Sequence, residues 1–187
     1  LSVTAKQEAT QPSVAQSLQR TADSLLAGCA LSDGPGASLL VVHDGHVDYM
    51  KIYGCAEVDT RVPVAPITNF RLASLSKQFT ATAVMLLVAD GKLRYDDDIT
   101  TLLSDLPPFT HGVTVRNLLN HTGGLPDYED YVPDTQTVQV HDREIPSLIA
   151  HATSPQFSAG TRYDYSNTGH WLLGPTGERV SGKGLTA

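Results

Sequence analysis

Ala73-Ser74-Leu75-Ser76-Lys77-Gln78-Phe79-Thr80-Ala81-Thr82-Ala83-Val84-Met85-Leu86-Leu87-Val88-Ala89-Asp90-Gly91 is the stretch that decides the fold. From Leu75 to Asp90 it is apolar on nearly every side, which predicts a helix buried all round and closed by Gly91. At its head a hydroxyl, Ser74, and an amine, Lys77, stand one turn apart. Side chains at i and i+3 share a helix face, with Cβ atoms roughly 5–6 Å apart, so the Lys77 amine can reach back to Ser74. On these residues alone two readings stay open: a serine nucleophile with its base, or an N-cap serine beside a solvated lysine. A Ser-x-x-Lys pattern arises by chance on the order of once in a chain this long, so the surroundings must decide.

Upstream, Val14, Leu18, Ala22, Leu25 and Leu26 recur at helical spacing, predicting an amphipathic helix over 14–27 that Gly28 and Gly34-Pro35-Gly36 end. Ala37 to Val42 and Val47 to Tyr53 are β-rich runs around His43-Asp44-Gly45-His46, where Asp-Gly signals a tight hairpin. A lone hairpin is marginally stable in water, so these strands are expected to belong to a larger sheet backed by helices. Downstream, helices are expected over 98–106, stopped by Pro107-Pro108, over 115–119 behind a Thr114 cap, and over 142–151. A long polar loop, 123–140, lies between the last two. No repeat, low-complexity tract or linker divides the chain, so it reads as one domain over 1–187 with a polar lead over 1–13.

With 187 residues, 41% of them hydrophobic and 18% charged, the chain can bury a core. Its net charge of −7 comes without any lysine or arginine cluster, which argues against nucleic acid or an anionic membrane surface as partner. A small-molecule or peptide substrate fits better. The longest apolar run, 81–89, is far short of the roughly 20 residues that span a bilayer. The chain opens without a methionine or the apolar core of a signal peptide, as a mature periplasmic or secreted form would. Cys29 and Cys55 are too few and too far apart for a metal knuckle, and read as two unpaired thiols in preference to a disulfide.

A serine hydroxyl is a poor nucleophile at neutral pH and needs a base beside it. Burial against an apolar helix and the positive end of the helix dipole both disfavour the ammonium form of Lys77, in which it could take no proton. The same helix start offers the Ser74 N–H as one oxyanion donor. The second constellation is Tyr163-Asp164-Tyr165-Ser166-Asn167, ahead of a helical run through Trp171 and Leu173. A tyrosine near cations can shuttle a proton, and an asparagine two positions on can hold a lysine and a substrate amide. The bland alternative is a tyrosine-rich surface turn.

Other patterns carry less. Gly177 to Lys183 spells the first part of a phosphate loop, but Gly184 replaces its Ser/Thr and no strand precedes it, so a helix end is the better reading. His43 and His46 straddle a turn without a third ligand, and no metal is expected. Asp96-Asp97-Asp98 lacks the alternation of a calcium loop and reads as the acidic start of a helix. His121 invites a Ser-His-Asp triad, yet no Gly-x-Ser-x-Gly elbow exists, which leaves the lysine-based reading stronger. Pro175 should kink or end its helix near Gly174, since a proline there removes a hydrogen bond and clashes with the Trp171 carbonyl.

Together these residues resemble the serine hydrolases of the β-lactamase and penicillin-binding type, particularly class C β-lactamases and their esterase and peptidase relatives. The segment from Phe70 to Thr80 is similar to the family's nucleophile segment. Thr114 to Pro126, with Asn120-His121-Thr122-Gly123-Gly124-Leu125-Pro126, resembles a second landmark, usually written with serine where Gly123 stands. Tyr165-Ser166-Asn167 matches the Tyr-x-Asn motif, and the resemblance runs from about Gly36 to Gly182. It implies an α+β fold, an antiparallel sheet flanked by helices with a mostly helical region. It implies Ser74 as acylated nucleophile, Lys77 and Tyr165 as general base and acid, and Asn167 as the group that orients substrate and lysine, without cofactor or metal. Lactams, D-amino-acid peptides and simple esters all suit this machinery.

The family's third motif, a Lys/His-Thr/Ser-Gly triplet on a later strand, has no counterpart here, and Lys183-Gly184 is a poor substitute. The expectation is a domain truncated at its C-terminus, its last strands supplied by a complementing C-terminal segment. The rival reading is a non-catalytic penicillin-recognising or peptide-sensing module, or an inactive fragment of such an enzyme.

Overall fold

The computed structural model describes residues 13–29, 31 and 33–184; the polar lead before Ser13 lies outside them. Contacts divide the chain into two compact units, one up to Arg71 and one from Leu72.

In the first unit, helix α1 (Val14–Leu25) begins at a capping box: Ser13 accepts from the Gln16 N–H, and the Gln16 side chain answers the Ser13 N–H. Strands β1 (Ala37–His43) and β2 (His46–Tyr53) pair antiparallel, with His43 opposite His46. The Asp-Gly signal is borne out: Asp44 and Gly45 both take positive φ, 48° and 77°, as the tight turn between right-twisted strands requires. A second pair, β3 (Cys55–Glu57) with β4 (Val62–Pro63), forms a separate two-stranded sheet. The larger sheet expected around the hairpin is not found among the described residues. Leu40, Val42, Val47 and Met50 stay exposed, and among the described residues of this unit the buried apolar ones are Ala22, Tyr53, Cys55 and Val64. Polar bonds supplement that small core: the Lys51 ammonium donates to the Asp23 carboxylate, which the Tyr53 hydroxyl also reaches at 3.0 Å. No disulfide joins the two cysteines, and Cys55 is buried and Cys29 partly so.

The second unit has a continuous core. Val84 of α2 (Lys77–Ala89), Ile99 of α3 (Ile99–Leu102), Val115 and Leu118 of α4 (Val115–Leu119), and Leu172 and Leu173 of α6 (Asn167–Ser181) pack with Leu93, Val113 and Leu125. A fifth helix, α5 (Ile145–Ile149), buries Ile145 and Ile149. Each start is set by a local signal. Asp98 caps α3, accepting from the Thr100 N–H at 2.9 Å and the Gly112 N–H at 2.7 Å. Thr114 caps α4, as expected, and Asn117 completes a capping box with it, while Ser166 caps α6 by accepting from the Gly169 N–H. Ile99 N–H donates to the Val113 carbonyl and Val115 N–H to the Asp97 carbonyl, which ties the starts of α3 and α4 together.

Several expectations change. The helix expected to be buried all round is not: Leu75, Phe79, Met85 and Leu86 are more than half exposed, and Val84 is the buried residue of α2. Sequence shows that a side chain is apolar but not what lies against it, and within this unit α2 packs chiefly on α6. The helix expected over 98–106 stops at Leu102, and that over 142–151 is a 3₁₀ turn, Asp142–Glu144, followed by the single turn and a half of α5. Pro175 does not break its helix, since α6 continues to Ser181 and ends at Gly182 with φ 69°. Proline in a helix interior costs about 3 kcal/mol. Burial of Leu172, Leu173, Gly174 and Thr176 around it offsets that cost, and the Thr176 hydroxyl donates to the Leu172 carbonyl.

Candidate active site

The backbone turns sharply before the nucleophile candidate. Ala73 takes φ 47°, a left-handed conformation that costs a residue with a Cβ about 1–2 kcal/mol. A 3₁₀ turn, Ala73–Ser76, carries Ser74, and α2 starts at Lys77. The tighter turn keeps Ser74 and Lys77 on one side, with Lys77 Nζ donating to Ser74 Oγ at 3.3 Å. The same ammonium donates to Asn167 Oδ1 at 2.8 Å, ninety residues on.

Tyr165 arrives from the other direction. Its hydroxyl donates to Ser74 Oγ at 2.7 Å, and its ring lies under the Lys77 ammonium, 4.8 Å from nitrogen to centroid. All four residues singled out from the sequence, Ser74, Lys77, Tyr165 and Asn167, therefore converge on one oxygen or its immediate neighbour. Burial opposes ionisation of the Tyr165 phenol. Its hydrogen bonds with Lys77 and Ser74, and the ammonium's charge, outweigh burial and hold the phenol below its ordinary value.

The strand of chain that presents Tyr165 is held at several points. Asp164 N–H donates to the His121 carbonyl at 2.9 Å, Ser166 N–H to His121 Nδ1 at 3.2 Å, and Asn167 N–H to Asp127 Oδ2 at 2.6 Å. Buried Thr168 accepts from the Tyr128 N–H at 2.7 Å, which fastens the polar loop to α6. Gly124, with φ 66°, approaches Phe157 so closely that a Cβ would sit 2.0 Å from its carbonyl oxygen. Glycine at that point of the second landmark is thus a packing requirement.

Three residues at the site have no local sequence signal that would have found them. Asp127 lies in the loop, 40 positions from the N–H that it holds. His170 reaches the Lys77 carbonyl from α6, and Ala73 is an ordinary alanine until its φ is known. His121, set aside as a triad member, does not touch Ser74 but packs its ring on Tyr165, with centroids 4.8 Å apart. Among the described residues no three His, Cys, Asp or Glu side chains gather to hold a metal ion. The arrangement offers acid–base chemistry at a single hydroxyl: a phenol and an amine can each exchange a proton with it, and an amide carbonyl fixes the amine.

Comparison with known proteins points the same way. The family model described as Beta-lactamase matches residues 23–187. Penicillin-binding protein 4* of Bacillus subtilis (strain 168) is 36% identical over 148 residues, 78% of this chain and 32% of that protein. The chain thus spans about a third of the curated relatives it matches. Among solved structures, the octameric penicillin-binding protein homologue from Pyrococcus abyssi superposes with a TM-score of 0.73 at 31% identity, covering 89% of this chain and 40% of that one. The D-amino acid amidase from Ochrobactrum anthropi SV3 gives 0.69 at 33% identity, covering 87% and 43%. With its small antiparallel sheets, its helical second unit and these matches, the chain belongs to the β-lactamase family of serine hydrolases.

Proposed function

We propose that this chain carries the nucleophile of a serine hydrolase that opens an amide, lactam or ester carbonyl through an acyl-enzyme. The observation that carries the reading is that the Tyr165 hydroxyl, 2.7 Å away, and the Lys77 ammonium, 3.3 Å away, meet at Ser74 Oγ. Once the phenol has lost its proton to solvent, its oxygen accepts the serine proton along the same 2.7 Å line. Oγ bonds to the carbonyl carbon as the proton passes to Tyr165, with Lys77 steadying the phenolate. The C–N or C–O bond then breaks, and Tyr165 returns the proton to the leaving nitrogen or oxygen. Water enters by the reverse route: its oxygen bonds to the acyl carbon as Tyr165 takes its proton, the acyl–Oγ bond breaks, Tyr165 returns the proton to Oγ, and the acid departs. Asn167 keeps Lys77 aimed throughout.

The relatives' names include a penicillin-binding protein and a D-amino acid amidase, which supports trying lactams and D-amino-acid amides first and short-chain esters next. A complementing C-terminal segment belongs to the same proposal, and would supply a second oxyanion donor and cover the exposed Leu75 and, on α2, Phe79, Met85 and Leu86. In the full-length protein a chromogenic lactam, a D-amino-acid amide and a p-nitrophenyl ester should include at least one substrate, with mass added at Ser74. Ser74→Ala should lower turnover at least about a thousandfold. Acylation that survives Ser74→Ala would defeat the reading, while labelling at Ser74 without turnover would replace it with a sensor.

A further inference from the structure

Behind the Ser74 cluster lies a stack of three rings. His170, on the first turn of α6 and 7% exposed, has Nε2 at 2.9 Å from the Lys77 carbonyl. Only a ring N–H can bond a carbonyl, so Nε2 carries the proton and Nδ1 is a bare lone pair, buried without a protein partner. His121 packs on His170 with centroids 5.7 Å apart and planes 27° apart, and on Tyr165 at 4.8 Å and 30°. Its Nδ1 accepts the Ser166 N–H, so its proton also sits on Nε2. Tyr163 closes the edge of the stack at 6.0 Å. His121 itself has φ 58°, a left-handed backbone that persists only where the surroundings impose it.

We propose that His170 and His121 are positioning residues that join Lys77 to Tyr165, and that they do so only while both rings are uncharged. The proposal rests on the serine hydrolase reading and names what regulates that same site. His170 fixes the first residue of α2 by its carbonyl, and His121 fixes the Tyr165 ring and the Ser166 backbone. The two imidazoles in contact make amine and phenol arrive together at Ser74. A proton on His121 Nδ1 would displace the Ser166 N–H. A proton on His170 Nδ1 would be a buried donor without an acceptor.

The groups that face the rings oppose a charge there. Lys77 of α2 presents its carbonyl and its ammonium, the 163–166 segment presents two phenol rings and one N–H, and each imidazole faces the other. Among the described residues no carboxylate acts on either ring. Burial, with the Lys77 charge behind it, holds His121 below the ordinary histidine value. Burial also lowers His170, opposed by the bond to the Lys77 carbonyl and reinforced by His121 and Lys77. The pair therefore stays neutral into mild acid, and the site fails below that.

The test is the pH profile of covalent labelling of the full-length protein by a fluorophosphonate. Ser74 Oγ bonds to phosphorus, the P–F bond breaks, fluoride leaves and the serine proton passes to Tyr165. His170→Phe, which keeps a ring but no donor, should slow labelling about 10- to 100-fold. His170→Gln, which can offer an N–H to the same carbonyl and does not titrate, should recover most of the rate, with an acid limb set by His121 alone. Wild-type rate in His170→Phe, a rate in His170→Gln no better than in His170→Phe, or an acid limb of the double variant His170→Gln/His121→Gln unmoved from wild type overturns the proposal. If neither variant folds, an NMR titration of the wild-type imidazoles decides: labelling should fall as they protonate, and labelling that persists on the protonated pair overturns it. Labelling that survives Ser74→Ala instead defeats the hydrolase reading itself.

Discussion

The two units of the chain are built by opposite means. From Leu72 on, Ile99, Val115, Leu118, Leu172 and Leu173, all nearly inaccessible, come from three helices and share one core, and the candidate site residues Ser74, Lys77, Tyr165 and Asn167 all belong to this unit. Up to Arg71, the hairpin leaves Leu40, Val42, Val47 and Met50 exposed, and order comes from turn geometry and the Asp23–Lys51–Tyr53 bonds. A site that must hold an amine and a phenol on one oxygen stands on the unit with the continuous core. The half-covered hairpin gives no such platform, which is consistent with the absence of any predicted functional residue there.

Truncating each unit at an apolar position is the harshest trial of that contrast. Leu118→Ala removes a side chain 1% exposed at the centre of the helical core and should cost about 2–5 kcal/mol. Leu40→Ala, 54% exposed on the hairpin, should stay within about 0.5 kcal/mol. Urea unfolding of the full-length variants measures both. A cost at Leu40 comparable to that at Leu118 would mean that the hairpin is covered in the whole protein, and the contrast would be one of this stretch of chain alone.

A smaller effect separates capping from packing inside the second unit. Burial of the Asp98 carboxylate opposes its charge, but the bonds from Thr100 and Gly112 outweigh burial and hold its titration below the ordinary carboxylate value of 3.8. A carboxyl lowered in the folded state adds stability that is complete above the unfolded value and lost as pH falls through the folded one. Asp98→Ala should therefore cost about 0.5–2 kcal/mol at neutral pH. That difference from wild type should hold down to the ordinary carboxylate range and narrow below it. A difference that stays constant into strong acid would assign the loss to packing rather than to the charged cap.

The sequence was most legible where a local rule suffices. Asp44-Gly45 predicts its turn and Thr114 its cap by local rules, whereas Ser-x-x-Lys and Tyr-x-Asn, left open by spacing and side-chain chemistry alone, name the four side chains gathered around Ser74 and Lys77 only through the resemblance that they carry together. It was least legible where the answer depends on what comes from elsewhere in the chain. The apolar pattern of α2 names a buried helix, yet burial needs a partner surface that periodicity does not contain. Pro175 breaks a helix in isolation but not one whose neighbours Leu172, Leu173 and Thr176 are fully buried. Asp127 and His170 enter the site through backbone groups 40 and 93 positions away, and no composition or motif encodes such a meeting.

The smallest expected change uses one left-handed residue from each unit. Asp44, φ 48°, sits in a hairpin turn whose geometry demands that conformation, while Ala73, φ 47°, sits directly before Ser74 with no turn rule asking for it. Glycine at either position removes a Cβ clash of about 1–2 kcal/mol but makes the unfolded chain freer by about 0.4–1 kcal/mol, so each variant should gain between about 0 and 1.6 kcal/mol. Activity should tell them apart. Ala73→Gly relaxes the backbone that aims Ser74 Oγ at Tyr165 and Lys77, and fluorophosphonate labelling should slow although the protein is as stable or more so. Asp44→Gly should leave labelling unchanged. If Ala73→Gly labels at the wild-type rate, the strained turn contributes nothing to the aim of the nucleophile. The two left-handed residues would then be alike, each a local accommodation of the chain, and the aim of Ser74 would come from its bonds to Lys77 and Tyr165 alone.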